Sequence, residues 1–319
     1  MAAIPLLENS TNVRSVERDP AFHAWAVQAA EAVGQSFTPR EAKAPWAIRA
    51  AMRALTAISP DLASAWAARL FCTPPRRSAP ADERAALASA RAGAVVVAGQ
   101  RIQTWTWGEG PPVLLVHGWG GRGGQLHRFV PGLLARGLSV VTFDGPGHGA
   151  SDGRLGSLVE LGRAARGVAD ALPAPLHGLV AHSMGGAATA FALSQGLSAQ
   201  SAVFIAPPST AVRWVGVVAR ALDLKEEVRD GMVARVEARL GVPIGALTMD
   251  RLGPIQRTPL LVIHDAQDRE VPHASGVEVV SRWPGARLHT TRGLGHTRVL
   301  ADPDVIALAT GFVGEGSLA

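Results

Sequence analysis

The sequence predicts an α/β fold: a mostly parallel, eight-stranded sheet with helices on both faces. Three observations carry this expectation. Short apolar runs recur from residue 94 onward, and most are followed by glycine and then a helical stretch. Strand–loop–helix alternation of that kind builds a parallel sheet covered on two sides. A composition of 47% hydrophobic and 18% charged residues over 319 positions supports a sizeable core and argues against wholesale disorder.

The elements follow in order. Residues 1 to about 20 show no periodicity and read as a loose arm. Ala21 to Val33 is alanine-rich and stops at Gly34, a helix with a glycine cap. Between Pro39 and Ile58, Ile48, Met52 and Leu55 share one helical face, with Arg49 and Arg53 on another. This face is narrow and diluted with alanine, so it is expected to pack on the main domain rather than lie on a membrane. Ser59-Pro60 restarts a helix, serine capping and proline first, that runs to about Phe71. Thr73-Pro74-Pro75 breaks the pattern, and Pro80 to Ala92 reads as one more helix. Ala94 to Ala98 and Arg101 to Trp107 form a hairpin around Gly99-Gln100. Six further strands are expected at Val113–Val116, Leu138–Phe143, Leu176–Ala181, Ala202–Ile205, Leu260–Ile263 and Ala286–Thr290. Residues 210 to about 257 interrupt the alternation with helices over Val212–Leu222 and Lys225–Leu240. That is too long for an ordinary crossover and reads as an inserted helical lid. The expected division is a helical extension over 1–90 and an α/β domain over 91–319.

Composition also excludes classes of function. The net charge of +5 comes almost wholly from scattered arginines, with Arg76-Arg77 the only adjacent pair. No nucleic-acid motif accompanies them, so a solvated surface is expected rather than a nucleic-acid partner. Cys72 is the single cysteine, so no intrachain disulfide forms; its apolar surroundings predict a packing role. No signal peptide or run near 18 apolar residues is seen, which predicts a soluble, cytoplasmic protein without stable membrane insertion. There is no CxxC or HExxH spacing and no Gly-Lys-Ser/Thr ending, so no metal, phosphate loop or cofactor is expected.

In such sheets, sites form at the C-terminal ends of strands, and the polar clusters fall there. Leu179 to Gly186 runs a strand straight into Ser183, with small residues Ala181 and Gly185 two before and two after. A serine on a sharp strand-to-helix turn needs those small neighbours, and the helix start offers free N–H groups to an anion. A serine hydroxyl also needs a base. Of ten histidines, His296 follows the last strand in a glycine-rich loop and is the favoured base. His117 suits a loop brace, and His182 points elsewhere on the turn. The base needs an orienting carboxylate, and the loop His264 to Pro272 offers three acids. Asp268 is favoured because it lies where the loop can turn toward His296; Asp265 and Glu270 remain as loop caps or arginine partners. The backbone N–H groups of Trp119 and Met184 are candidate oxyanion donors. The Asp144–Asp152 loop reads as structural.

Together, His117-Gly118-Trp119, Asp144 to Ser151, Ala181-His-Ser-Met-Gly185, His264 to Pro272 and Gly293 to His296 resemble the α/β-hydrolase superfamily, in its bacterial esterase/lysophospholipase-like branch. The chain order of serine, acid, histidine is that superfamily's order. The resemblance implies Ser183 as nucleophile, Asp268 as acid, His296 as base, Trp119 and Met184 as oxyanion donors, and 210–257 as lid. Ala181 stands where glycine is common and keeps the small size; Asp265 also stands where glycine is common. The expected activity is hydrolysis of a small-molecule carboxylic ester with a small to medium apolar acyl group. Amide or carbon–carbon hydrolysis on the same fold is the alternative, and a non-enzymatic ligand-binding protein the third. Packing and homodimer formation are the roles open to residues 1–90.

Overall fold

The computed structural model of the chain describes residues 43–76 and 78–315. The helix expected over Ala21 to Val33, the arm before it and Arg77 lie outside the described residues.

Among the described residues the first elements are α1 (Trp46–Ile58), α2 (Pro60–Phe71) and α3 (Ala81–Ala88). Ser59 caps α2 by accepting from the Leu62 N–H, with Pro60 at the first helical position. The expected helix over 80–92 is shorter than read. The Ser89 hydroxyl and the Trp107 indole both donate to the Ala86 carbonyl, and β1 begins at Arg91. Strands β1 (Arg91–Val97) and β2 (Gln100–Trp107) form the hairpin. Its turn residues Ala98 and Gly99 have φ of 50° and 77°, the left-handed pair that matches strand twist.

The sheet then alternates: β3 (Pro112–Val116), α4 (Val130–Leu134), β4 (Ser139–Phe143), α5 (Leu158–Asp170), β5 (Leu176–His182), α6 (Met184–Ser194) and β6 (Ala199–Ile205). An insertion follows, holding α7 (Val212–Leu222), α8 (Glu226–Leu240) and α9 (Met249–Leu252). The chain closes with β7 (Leu260–Asp265), α10 (His273–Arg282), β8 (Arg287–Thr291), α11 (Gly295–Arg298) and α12 (Pro303–Gly314). The eight strands lie in the order β1-β2-β4-β3-β5-β6-β7-β8. Among the described strands, β1–β2 and β2–β4 pair antiparallel and the other five pairings are parallel.

Alternation along the central strands divides the core in two. Leu114, Val116, Leu179, Ala181, Phe204 and Val262 face one apolar layer, filled by residues of α5 and α6. Val113, Leu115, Val180, Val203 and Ile263 face the other, filled by α4 and α12. Both faces are covered, so β3, β5, β6 and β7 are buried along nearly their whole length and read as largely apolar runs.

The leading helices pack on the insertion, not on solvent. Met52, Ala63 and Ala67 are fully buried in the first layer together with Val228 and Met232 of α8. The crossing is close: a Cβ on Gly231 would stand 2.4 Å from the Ser64 hydroxyl, which donates to the Val228 carbonyl. No helix among the described residues is long and apolar enough to cross a membrane.

Candidate active site

The site is built at the C-terminal ends of β3, β5, β7 and β8. Ser183 sits between β5 and α6 with φ 53° and ψ −127°. That positive-φ conformation is sparsely populated for a non-glycine residue and costs on the order of 1–3 kcal/mol. Local packing enforces it. The Ser183 N–H donates to the Ile205 carbonyl at 2.9 Å, and Ala181 is fully buried. A Cβ on Gly185 would meet the Val116 and His117 carbonyls at 2.6 and 2.5 Å. The small residues two before and two after the serine are therefore sterically required.

The structure brings the three sequence-selected side chains together. Ser183 Oγ lies 2.9 Å from His296 Nε2, and His296 Nδ1 lies 2.7 Å from Asp268 Oδ2. A carboxylate only accepts, so Nδ1 carries the proton and Nε2 is left free to accept from the serine hydroxyl. Asp268 is 5% exposed and His296 9%, so water hardly screens the pair. The other Asp268 oxygen accepts the Glu270 and Val271 N–H groups at 2.8 and 3.0 Å. Burial alone would raise this carboxyl; the His264 and His296 imidazoles and the Glu270 amide outweigh it and hold it well below the usual range.

Asp265 does the other work open to it. It accepts from the Gln267 N–H, the Thr291 hydroxyl and the Leu294 N–H. It thus ties the loop that carries His296 to the end of β7. Glu270 is exposed, and its amide rather than its carboxylate serves the site.

The oxyanion candidates lie on either side of Ser183. Met184 is the first residue of α6, so its N–H has no acceptor within the helix. Gly118 approaches so closely that a Cβ there would stand 3.0 Å from Ser183 Cβ, which sets the Trp119 amide one residue away. The Trp119 indole is 38% exposed at this rim.

Three buried histidines act as props, and the sequence pointed clearly to only one. His117 Nδ1 donates to the Gly118 carbonyl at 2.7 Å, while Nε2 accepts the Gly145 N–H at 2.9 Å. His148 Nδ1 donates to the Pro146 carbonyl, and Nε2 accepts the Gly120 N–H at 3.2 Å. His182 Nε2 donates to the His296 carbonyl at 2.9 Å, with the two rings 4.8 Å apart. Burial pushes His117 down to about 4, and His148 and His182 to about 3, so all three stay neutral near pH 7. A fourth buried histidine, His264, donates to the Val271 carbonyl at 2.9 Å and lies 3.5 Å from Asp268 Oδ2. The Asp144 loop is structural as read: Asp144 accepts the Gly123 and Ala150 amides.

Comparison with known proteins identifies the family and the fold. A profile described as "Alpha/beta hydrolase family" matches residues 113–309. A pimeloyl-(acyl-carrier protein) methyl ester esterase of Aeromonas hydrophila subsp. hydrophila is 29% identical over 252 residues, covering 65% of this chain and 97% of that protein. The Methylococcus capsulatus protein of the same name is 43% identical over 72 residues, 23% of this chain and 27% of that one. Among solved structures, the Pyrococcus furiosus esterase Pf2001 superposes with a TM-score of 0.56 at 18% identity, over 76% of this chain and 99% of that one.

Proposed function

The chain belongs to the alpha/beta hydrolase family, and from that premise we propose that it is a serine hydrolase cleaving a carboxylic ester of a small to medium apolar acid through an acyl-enzyme. The carrying observation is the relay of Ser183, His296 and Asp268 at 2.9 and 2.7 Å. Ser183 Oγ attacks the ester carbonyl while its proton passes to His296 Nε2. The buried Asp268 carboxylate stabilises the imidazolium so formed. The carbonyl oxygen, now an oxyanion, rests on the Trp119 and Met184 N–H groups; one such donor is typically worth about 3 kcal/mol of transition-state stabilisation. His296 returns the proton to the leaving alcohol, and the acyl-serine remains. Water, deprotonated by the same nitrogen, then releases the acid.

An ester is favoured over other bonds by the names of the relatives, which are esterases. An apolar acyl group suits the half-exposed Trp119 indole and the half-buried Met184 beside the serine. Residues 210–257 are taken as the lid. The insertion departs next to the nucleophile, because Ile205, the last residue of β6, accepts the Ser183 N–H. The same reading treats residues 1–90 as an extension to a hydrolase domain over 91–319.

The test is labelling by a fluorophosphonate probe together with turnover of aryl esters of rising chain length, wild type against Ser183→Ala. Wild type is expected to label and to turn over the shorter chains fastest; Ser183→Ala is expected to do neither. Labelling that survives the substitution removes Ser183 from the mechanism.

A further inference from the structure

The loop carrying the Trp119 amide is an unusual place to put a rigid donor. Five of the seven residues from Gly118 to Gly124 are glycine, and glycine loses the most conformational freedom on ordering. Within residues 113–309 the loop is held by His148 on the Gly120 N–H and Asp144 on the Gly123 N–H. Two further contacts come from the chain ahead of the sheet, outside the stretch that the family profile matches.

The first is at Pro75. Gly120 has φ 65°, and a Cβ there would stand 2.7 Å from Pro75 Cγ, so the proline lies directly on the residue after Trp119. Pro75 is held there by its neighbours. Arg76 donates to the Gly147 carbonyl at 3.2 Å and to the Gly153 carbonyl at 2.7 Å, and the Cys72 carbonyl accepts the Gly156 N–H at 2.8 Å. The strap therefore grips the glycine loop and also the Asp144–Gly156 segment that carries its internal prop, His148.

The second is at Glu83 on α3. Its Oε1 accepts from Arg122 Nη2 at 3.0 Å, and Oε2 lies 2.6 Å from Arg122 Nε, with both side chains largely buried. A Cβ on Gly124 would stand 3.1 Å from Glu83 Cβ, so the acid also packs on the loop's last glycine. An ion pair spanning 39 residues of sequence at this spot ties α3 to the loop itself.

We propose that this leading segment is a working part of the hydrolytic machinery: Pro75, Arg76 and Glu83 are positioning residues that clamp the glycine loop from outside and set the Trp119 N–H for the oxyanion. The inference rests on the reading of Ser183 and Trp119 given above. A donor misplaced by about 1 Å can cost about 100-fold in rate, so the clamp acts on the transition state rather than on substrate binding.

The experiment measures kcat, KM and melting temperature on an aryl ester for Glu83→Ala, Glu83→Gln, Arg76→Ala and Ser183→Ala, with inhibition by an arylboronic acid. The boronate forms a tetrahedral adduct on Ser183 whose oxygen occupies the hole. Glu83→Ala and Arg76→Ala are expected to lose roughly 10- to 100-fold in kcat, with KM within about threefold. The boronate Ki should rise by the factor that kcat/KM falls. Glu83→Gln, which keeps a hydrogen bond to Arg122, should lie between alanine and wild type. Wild-type kcat and boronate Ki in Glu83→Gln and Arg76→Ala, whatever the melting temperatures do, overturn the clamp even if Glu83→Ala fails to fold. If Ser183→Ala is dead while the clamp variants match wild type, only the clamp is lost; turnover by Ser183→Ala sinks the underlying reading as well.

Discussion

Replacing Asp268 with asparagine tests the relay where its geometry is most constrained. Asp268 Oδ1 accepts two backbone N–H groups, from Glu270 and Val271, and Oδ2 faces His296 Nδ1 at 2.7 Å. An asparagine has one acceptor oxygen, and it must stay on the Oδ1 side; the reverse flip would aim an NH2 at two N–H donors. The NH2 then faces Nδ1. The imidazole can accept from it only by moving its own proton to Nε2, and that tautomer cannot accept from Ser183. Restoring the working tautomer sets donor against donor in a buried site. It forfeits a charge-assisted bond, about 1.5–3 kcal/mol, and leaves a buried donor unpaired, about 1–3 kcal/mol. The sum, roughly 2.5–6 kcal/mol, is a loss of about 10²–10⁴ in kcat. Steady-state hydrolysis of an aryl ester at pH 7.5 reads it directly. Asp265→Asn is the control, because Asp265 bonds the loop and not the imidazole, and a much smaller loss is expected. An Asp268→Asn enzyme within tenfold of wild type, or an Asp265→Asn enzyme equally impaired, refutes the reasoning.

Two stability predictions follow from burial. His117, His148 and His182 titrate in the folded chain near 4, 3 and 3, below the ordinary 6.5. The unfolded chain therefore binds more protons between about pH 3 and 6.5, and stability is lost as pH falls through that window. At pH 5 each histidine costs up to about 2 kcal/mol, and Asp268, also lowered, adds its loss below about pH 4. Melting temperatures measured from pH 7.5 to 4.5 at fixed ionic strength should fall steadily below pH 6.5; a flat profile contradicts the buried, neutral assignment. Met52→Ala empties a fully buried position where α1 joins the first core layer and should cost about 2–5 kcal/mol. Urea unfolding checks it, and a loss under about 1 kcal/mol means α1 is not anchored there.

Much of the sheet was legible because its signals are local. Each of the eight expected strands has a counterpart, since the apolar runs are short and bounded by glycine or proline. The Ser183 turn was equally local, because its steric demands fall on residues 181 and 185. The choice between Asp265 and Asp268 was not, as both sit on one loop. What separates them is a partner 28 or 29 residues away: Leu294 N–H for one, His296 Nδ1 for the other. His182 looked like a residue pointing away from the chemistry; it holds the carbonyl of His296, 114 positions on. The end of α3 was misread for the same reason, since an indole from β2 takes the Ala86 carbonyl. Pro75 and Glu83 gave no signal at all, because a proline-rich break and an acid on a short helix acquire meaning only from the glycine loop they touch.

The histidines around the site share a division of labour that follows from burial. A neutral imidazole offers one donor and one acceptor, and His117 and His148 spend both on backbone groups of the loops that frame Ser183. Protonation would turn each acceptor nitrogen into a donor aimed at the Gly145 or Gly120 N–H, pushing those loops apart. Depressing their pKa by burial keeps the frame unchanged over the range in which the proposed reaction cycles protons. His296 is set differently, with a carboxylate on one nitrogen and a hydroxyl on the other. The carboxylate at 2.7 Å can compensate a positive charge on His296, whereas at His148 and His182 burial outweighs the nearby Asp144 and Asp268 carboxylates. On the proposed mechanism, proton movement is confined to one imidazole, while the rings behind it hold the loops still.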